Sequence, residues 1–420
     1  MIRSQHRAYF AVTLAYWAFM LSDGAMRMLV LLHFNGLGYS PVQLAWLFLL
    51  YEAAGIVTNL TAGWIAARFG LATTLHAGLG LQIFALIALS QLDPQWTIAT
   101  SVTFVMVAQG LSGVAKDLAK MSSKSAVKLL APEQEGALFR WVALLTGSKN
   151  TVKGLGFFLG AALLALFGFV PTLWAMATGL GAILVAILFW LPPGLPAGRK
   201  EAKLSEIWSR DSRINRLSVA RMFLFGARDV WFVVGVPVYF QSVLSDGSAE
   251  GQREAFFLIG AFMALWVILY GIVQAMTPRL LASQGLTPHG TLAKARLWAA
   301  RLVPIPILLA TAALFPEIPD IALTPMLMLG LLIFGFVFAV NSSLHSYLIL
   351  AFAGKDRVTM DVGFYYMANA AGRLIGTLLS GVSFQLGGLA LCLATAGALS
   401  ALSWVAVSRL DAQSVTKAKT

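Results

Sequence analysis

Nine basic side chains fall inside long apolar stretches of this chain: Arg27, Lys116, Lys120, Lys149, Lys153, Arg221, Arg228, Arg301 and Arg373. Four acids accompany them, Asp23, Glu52, Asp117 and Asp229. An ionised group at mid-bilayer costs at least ~2.5–3.5 kcal/mol on insertion scales, so such groups face a partner or a water-filled cavity. Nine cations and four carboxylates cannot all pair internally. The chemistry left over is capture of an anion, because Lys and Arg donate charged hydrogen bonds to oxyanions and Arg does so through a planar fork.

Spacing sorts these residues. Lys149 and Lys153 are four apart, hence on one helix face, with no acid within a turn. Like charges at that spacing repel, and a bridging anion removes the conflict. At about 1.5 Å per residue they lie roughly 13 and 20 Å beyond the basic Arg140, on either side of the midplane. Arg228 and Arg373 are similarly deep, about 18 and 24 Å from Arg216 and Arg357. Arg221 and Arg301 start closer to the interface and are expected to snorkel. Lys116, Lys120, Lys124 and Lys128 form one winding stripe; the outer two read as an interface anchor and the inner two, beside Asp117, as cavity lining. Asp23 and Arg27 stand at i and i+4, which allows a mutual pair as well as a role toward solute. Asp229 adjoins Arg228, although neighbours on a helix diverge by ~100°. Glu52 has no basic residue near it on its own helix. These three acids, Asp23, Glu52 and Asp229, are the candidate proton carriers. Asn341 and His345, in a polar run with Ser342, Ser343 and Ser346, are candidate neutral donors or helix-to-helix hydrogen-bonding groups.

The elements that must hold these residues are membrane helices. The apolar set makes up 59% of 420 residues and charges 11%, against roughly 45–50% and about 25% in soluble domains. Apolar runs long enough to cross a ~30 Å core are expected at 8–34, 41–67, 73–91, 96–121, 137–166 and 171–192, then at 215–241, 255–278, 292–314, 323–352, 358–386 and 389–408. The predicted fold is all-α: twelve transmembrane helices in two pseudo-symmetric six-helix bundles, residues 1–192 and 215–420, joined by a polar cytoplasmic linker, 193–214. With the N-terminus inside, nearly every loop Lys and Arg falls on the inner side and only Arg253 on the outer, which predicts cytoplasmic termini. The net charge of +12 is thus a topology signal and calls for no nucleic acid. Cys392 is the sole cysteine, so no disulfide framework or thiol-based metal site is expected. Nothing has the spacing of a zinc set, a nucleotide-binding loop or a catalytic triad, so neither cofactor nor enzymatic activity is expected.

Three echoes link span n to span n+6, as in transporters built from repeats. Asp23 precedes Phe34 by eleven residues and Asp229 precedes Phe240 by eleven. Lys116 and Lys120 follow Gly110 by six and ten, as Asn341 and His345 follow Gly335. Lys153 precedes Gly156 by three, as Arg373 precedes Gly376.

Between spans 2 and 3, Gly63-Trp-Ile-Ala-Ala-Arg68-Phe-Gly70 resembles the Gly-x-x-x-Asp-Arg-x-Gly signature of the major facilitator superfamily, with Ala67 where that signature has Asp. Longer segments resemble the ArsJ family of organoarsenical efflux permeases within it. They are Ser22-Asp-Gly-Ala-Met-Arg-Met-Leu29, Ser112-Gly-Val-Ala-Lys-Asp-Leu-Ala-Lys-Met-Ser-Ser-Lys-Ser125, Trp141-Val-Ala-Leu-Leu-Thr-Gly-Ser-Lys-Asn150, Arg228-Asp-Val-Trp-Phe-Val-Val-Gly235 and Val340-Asn-Ser-Ser-Leu-His-Ser-Tyr-Leu348. The resemblance implies export of 1-arseno-3-phosphoglycerate across a bacterial inner membrane, giving arsenate resistance in partnership with glyceraldehyde-3-phosphate dehydrogenase. That substrate suits a cradle of Arg27, Lys116, Lys120, Lys149, Lys153, Arg228 and Arg373 with Asn341 and His345, driven by proton entry in an antiport. A general organophosphate or anionic-metabolite permease of the same fold is the alternative. A membrane enzyme acting on phosphate head groups lacks a catalytic constellation, and a channel lacks the symmetric ring of charge it needs.

Overall fold

The computed structural model describes residues 2–130, 137–190, 211–281, 288–315, 317–353 and 358–410. Among them every regular element is helical: α1 (Ile2–Gly36), α2 (Pro41–Phe69), α3 (Leu71–Leu89), α4 (Ile98–Leu130), α5 (Ala137–Phe167), α6 (Phe169–Trp190), α7 (Ser212–Val230), α8 (Val236–Leu244), α9 (Ala249–Leu281), α10 (Pro288–Leu302), α11 (Pro304–Ala312), α12 (Asp320–Phe352) and α13 (Val358–Ser408). Most of the polar segment expected as a linker, the Lys124 and Lys128 side chains, and the basic tail after Leu410 lie outside the described residues.

Among the described residues, eleven stretches are long and apolar enough to cross a membrane. The last, Asp361–Ser408, is 48 residues long and holds two non-helical residues, Gly387 and Gly388. Gly388 has φ 59°, a left-handed conformation that glycine adopts without a Cβ clash. The chain folds back there, so this stretch supplies two spans and brings the number to the twelve expected. Its break falls where the sequence placed it, between 358–386 and 389–408. Two other spans are less regular than expected. α7 and α8 form one span, Ser212–Leu244, interrupted by a π-helical turn at Trp231–Gly235. α10 and α11 form another, broken where Pro304 has no N–H to offer the helix before it.

Long apolar side chains cover the outside: Phe189 is 82% exposed, Ile321 85% and Leu386 76%. A soluble exterior does not carry such residues in number, whereas lipid tails solvate them. This is a multi-pass membrane protein.

Two compact units divide the chain: Met1–Leu37 with Trp46–Ser205 and Gly247–Ile268, and Gly38–Ala45 with Glu206–Asp246 and Leu269–Thr420. The expected halves therefore exchange two pieces. Val42 N, at the start of α2, donates to Gln385 Oε1 on α13. The first part of α9 packs on α5, where a Cβ at Gly154 would lie 2.9 Å from Ala264 O. The core of the first unit joins Val12, Tyr16 and Phe19 of α1 to Leu75 and Leu79 of α3, with Leu180 of α6. The second joins Ile214 and Leu217 of α7 to Leu292, Leu344, Tyr365 and Val407.

Close helix approach is set by glycine. A Cβ at Gly156 or Gly160 of α5 would collide with the α1 backbone at Leu21 or Ala25. Gly156→Val is expected to lower stability by about 1–3 kcal/mol, the usual cost of overpacking. Gly179→Val, at a site with no atom within 4 Å of the added Cβ, should stay within about 0.5 kcal/mol. Thermal unfolding of the detergent-purified protein compares the two.

Candidate anion-binding site

Each unit holds a buried polar cluster built from the intramembrane charges. In the first unit, Asp23 of α1 accepts from Lys153 Nζ of α5 at 2.5 Å and from Tyr51 Oη of α2 at 2.5 Å. The Tyr51 ring carries cations as well: Lys116 Nζ lies 4.2 Å from its centroid and the Arg27 guanidinium 5.5 Å. A ring face is electron-rich, so it holds a cation without neutralising it. Arg27 Nη1 donates to Glu52 Oε1 at 3.1 Å, while its Nη2 is buried with no hydrogen-bond partner among the described residues. Deeper along α4, Asp117 accepts from Lys120 Nζ at 2.7 Å and from Thr58 Oγ1 at 2.5 Å. Lys120 also donates to Asn59 Oδ1 at 2.7 Å.

In the second unit Asp229 of α7 is the central carboxylate. Arg228 Nε donates to its Oδ1 at 2.5 Å and Arg373 Nε of α13 to its Oδ2 at 3.3 Å. Arg228 lies among the rings of Phe225, Phe232 and Phe338. Arg221, nearly two turns earlier on α7, donates from Nη1 to Ser342 O at 3.0 Å and Oγ at 2.9 Å, and from Nε to Asn369 Oδ1 at 3.1 Å. Gln274 Nε2 donates to the same Ser342 hydroxyl.

Glycines let these helices meet. A Cβ at Gly24 would lie 2.5 Å from Lys153 O, and one at Gly113 would lie 2.6 Å from Tyr51 O. In the second unit, a Cβ at Gly376 would lie 2.6 Å from Gly226 O and 2.9 Å from Asp229 Cβ. The first and third echoes thus become one matched contact: Asp23 with Lys153 in one unit, Asp229 with Arg373 in the other. Gly156 and Gly376, each three residues on, provide the close approach beside them.

Several expectations change. Asp23 does not pair with Arg27, four residues along its own helix. The carboxylate takes Lys153 and Tyr51 from neighbouring helices, and Arg27 crosses to Glu52. Glu52, without a basic neighbour on α2, therefore has one from α1. Arg228 and Asp229 are adjacent yet paired, because the long arginine stem swings its head back across the ~100° between them. Arg221 does not snorkel: it is 4% exposed, with its guanidinium 4.1 Å from the Phe225 centroid and 5.1 Å from that of Tyr365. Arg301 is exposed beside Trp298. Asp361, in the first turn of α13, is a buried acid missing from the sequence count. It lies ~18 Å along the helix from Arg373. Lys149 is half-buried one turn before Lys153.

Asn341 and His345 lie in α12 and are fully buried. Asn341 Nδ2 donates to Val337 O at 3.2 Å; its Oδ1 and both ring nitrogens of His345 have no hydrogen-bond partner among the described residues. Sequence reasoning missed Tyr51, Thr58, Asn59, Gln274 and Asn369. Tyr51 alone left a signal, a phenol beside a mid-span glutamate.

Charge balance within each unit is uneven. In the first unit five deep cations, Arg27, Lys116, Lys120, Lys149 and Lys153, stand against three carboxylates, Asp23, Glu52 and Asp117; in the second, Arg228 and Arg373 share Asp229, Arg221 is bonded to neutral oxygens, and Asp361 lies apart at the start of α13. Every mid-membrane carboxylate is engaged, and the cations still outnumber them. Removing one partner of a buried pair costs about 3–5 kcal/mol. Asp229→Asn, which leaves two arginines facing each other, is expected to lower stability more than Asp23→Asn, which leaves one lysine; thermal unfolding of the two variants measures the order.

The Major Facilitator Superfamily model matches residues 8–377. No curated protein sequence gave a match. Among solved structures, a POT family transporter in complex with 5-aminolevulinic acid superposes with TM-score 0.72 at 16% identity, covering 97% of this chain and 95% of that one. A bacterial homologue of the iron transporter ferroportin, in an inward-facing state, gives 0.70 at 13%, covering 98% and 99%. A point mutant of the nucleoside transporter NupG gives 0.69 at 15%, covering 97% and 98%. At these identities the likeness concerns the fold.

Proposed function

The chain belongs to the Major Facilitator Superfamily and is a membrane transporter, and we propose that it exports an organic arsenate or phosphate anion, 1-arseno-3-phosphoglycerate, from the cytoplasm in exchange for protons. The observation that carries this reading is the cationic excess that persists after the mid-membrane carboxylates are engaged. A substrate with a phosphate and an arsenate supplies the negative charge those clusters lack, through charge-assisted hydrogen bonds. The cradle consists of Arg27, Lys116, Lys120, Lys149, Lys153, Arg228 and Arg373, with Asn341 and His345 as neutral donors. Loop lysines and arginines set the topology with both termini in the cytoplasm, and the bacterial inner membrane is the setting. Glyceraldehyde-3-phosphate dehydrogenase makes the substrate when arsenate replaces phosphate.

Of the three candidate proton carriers, Asp23 is best placed. Its cation is a lysine, a flexible point charge that an arriving oxyanion can draw away. Once the anion has been released on the far side, that carboxylate, still bonded to Tyr51, is the group that accepts a proton. Asp229 lies between two arginines, which stay charged at all working pH, and Glu52 is held by a third. Anion and proton then occupy this pair of residues in turn, as an exchange requires.

Cells expressing the transporter together with the dehydrogenase should tolerate arsenate better than cells expressing either alone. Lys149→Met and Lys153→Met should each abolish that protection; full protection in both variants contradicts the cradle. Protection without the dehydrogenase points instead to a general organophosphate or anion permease. For coupling, everted vesicles are given arsenate, glyceraldehyde-3-phosphate, the dehydrogenase and its nucleotide. Asp23→Asn should still exchange substrate at equilibrium and lose at least tenfold of the accumulation driven by an acid interior. Wild-type accumulation in that variant removes Asp23 from the coupling.

A further inference from the structure

Arg221 has a different situation from the other deep cations. It is buried at 4% exposure, yet among the described residues its partners are neutral: the Ser342 carbonyl and hydroxyl and the Asn369 amide oxygen. Those bonds engage Nε and both Nη1 protons and leave Nη2 uncommitted among the described residues. Aromatic faces from Phe225 and Tyr365 flank the guanidinium, which fixes its plane without cancelling its charge.

The helix that receives Arg221 presents unmet polar groups on the same face. His345 follows Ser342 by three residues, so the two side chains neighbour each other on α12, and Arg221 is bonded to that same Ser342. His345 is fully buried, and both its ring nitrogens lack hydrogen-bond partners among the described residues. Asn341, one turn before it, has an unpartnered Oδ1. Each buried unmet polar atom is costly, and here three of them accompany an arginine with no carboxylate. A structural network would close on itself; Gln274, Ser342 and Ser346 do so nearby, and His345 does not.

We propose that Arg221 and His345 form an oxyanion site in the second unit, taking a phosphate or arsenate group with Arg221 Nη2 and one His345 ring N–H as donors and Asn341 Oδ1 accepting from a hydroxyl of the bound molecule or of the protonated oxyanion. The inference deepens the proposed function and rests on it. Arg221, which the sequence assigns to the interface, becomes a substrate-binding residue. The site takes one oxyanion at this cluster and a second toward Arg228, nearly two turns along the same helix in the same unit, so a molecule charged at both ends binds more tightly than either half.

The test uses the full chain in lipid nanodiscs and isothermal titration with three probes: inorganic phosphate, glycerate and 3-phosphoglycerate. The wild type should bind 3-phosphoglycerate at least tenfold more tightly than phosphate, and phosphate more tightly than glycerate. Arg221→Gln keeps a donor to Ser342 and deletes the charge, and should lose at least tenfold in affinity for 3-phosphoglycerate. Arg221→Lys should fall between. With ring-labelled histidine, phosphate should shift the His345 nitrogen resonances, assigned by their loss in His345→Asn; a purely structural histidine would not respond. If Arg221→Gln does not fold, the histidine shift in the wild type decides. Wild-type affinity in a folded Arg221→Gln, or unmoved His345 resonances, overturns the site, while weakened binding in Lys153→Met keeps the broader reading intact. Tighter binding of glycerate than of phosphate overturns the assignment to a tetrahedral oxyanion. A wild type that binds none of the three probes overturns both readings.

Discussion

Positive charge buried in excess of its counter-charge is the constraint on which the rest of this structure depends. In a hydrocarbon setting an ionised side chain must find a partner, and the molecule meets that demand by committing each central carboxylate to at least one cation. Asp23 serves Lys153, Glu52 serves Arg27, Asp117 serves Lys120, and Asp229 serves both Arg228 and Arg373. Other cations also meet aromatic rings or neutral oxygens: the Tyr51 ring lies against Lys116, and Arg221 donates to Ser342 and Asn369. These are interactions that retain a cation while keeping its field available.

Backbone geometry follows from that arrangement. Short charged bonds between helices require their axes to come close, and glycines at 24, 156, 226, 372 and 376 lie where any side chain would press on a neighbouring backbone. The π-helical turn begins two residues after Asp229, and the Ser380 hydroxyl accepts from the N–H groups of Val234 and Gly235 within it. Such turns recur at functional positions in helices, and this one lies directly beside the doubly bridged carboxylate.

Fold class and span limits are legible in the sequence because a bilayer imposes simple rules on length and polarity. Even the break at Gly387 and Gly388 shows as a glycine pair between apolar runs. The matched Asp23 and Asp229, and the matched Lys153 and Arg373, are visible as spacings, though their mutual contact is not. Partner choice depends on which helices touch, and sequence shows only neighbours on one helix. That is why Asp23 reads as equally able to pair with Arg27, why Glu52 reads as isolated, and why Arg228 reads as turned away from Asp229. Depth alone assigns Arg221 to the interface; its aromatic and hydroxyl surroundings come from α7, α12 and α13 together. Tyr51 escapes notice because a tyrosine in an apolar span is ordinarily packing, and only the assembled unit shows it between an acid and two cations.

The most direct measurement is the thermal stability of the purified protein as oxyanions are added at constant ionic strength. A ligand that binds only the folded state stabilises it by RT ln(1 + [L]/Kd), about 2.7 kcal/mol at a hundredfold excess over Kd. An excess of buried cations over carboxylates predicts saturable stabilisation by phosphate, arsenate and 3-phosphoglycerate, with little from chloride. An identical response to chloride, or none to any anion, would mean that the buried charge is already satisfied.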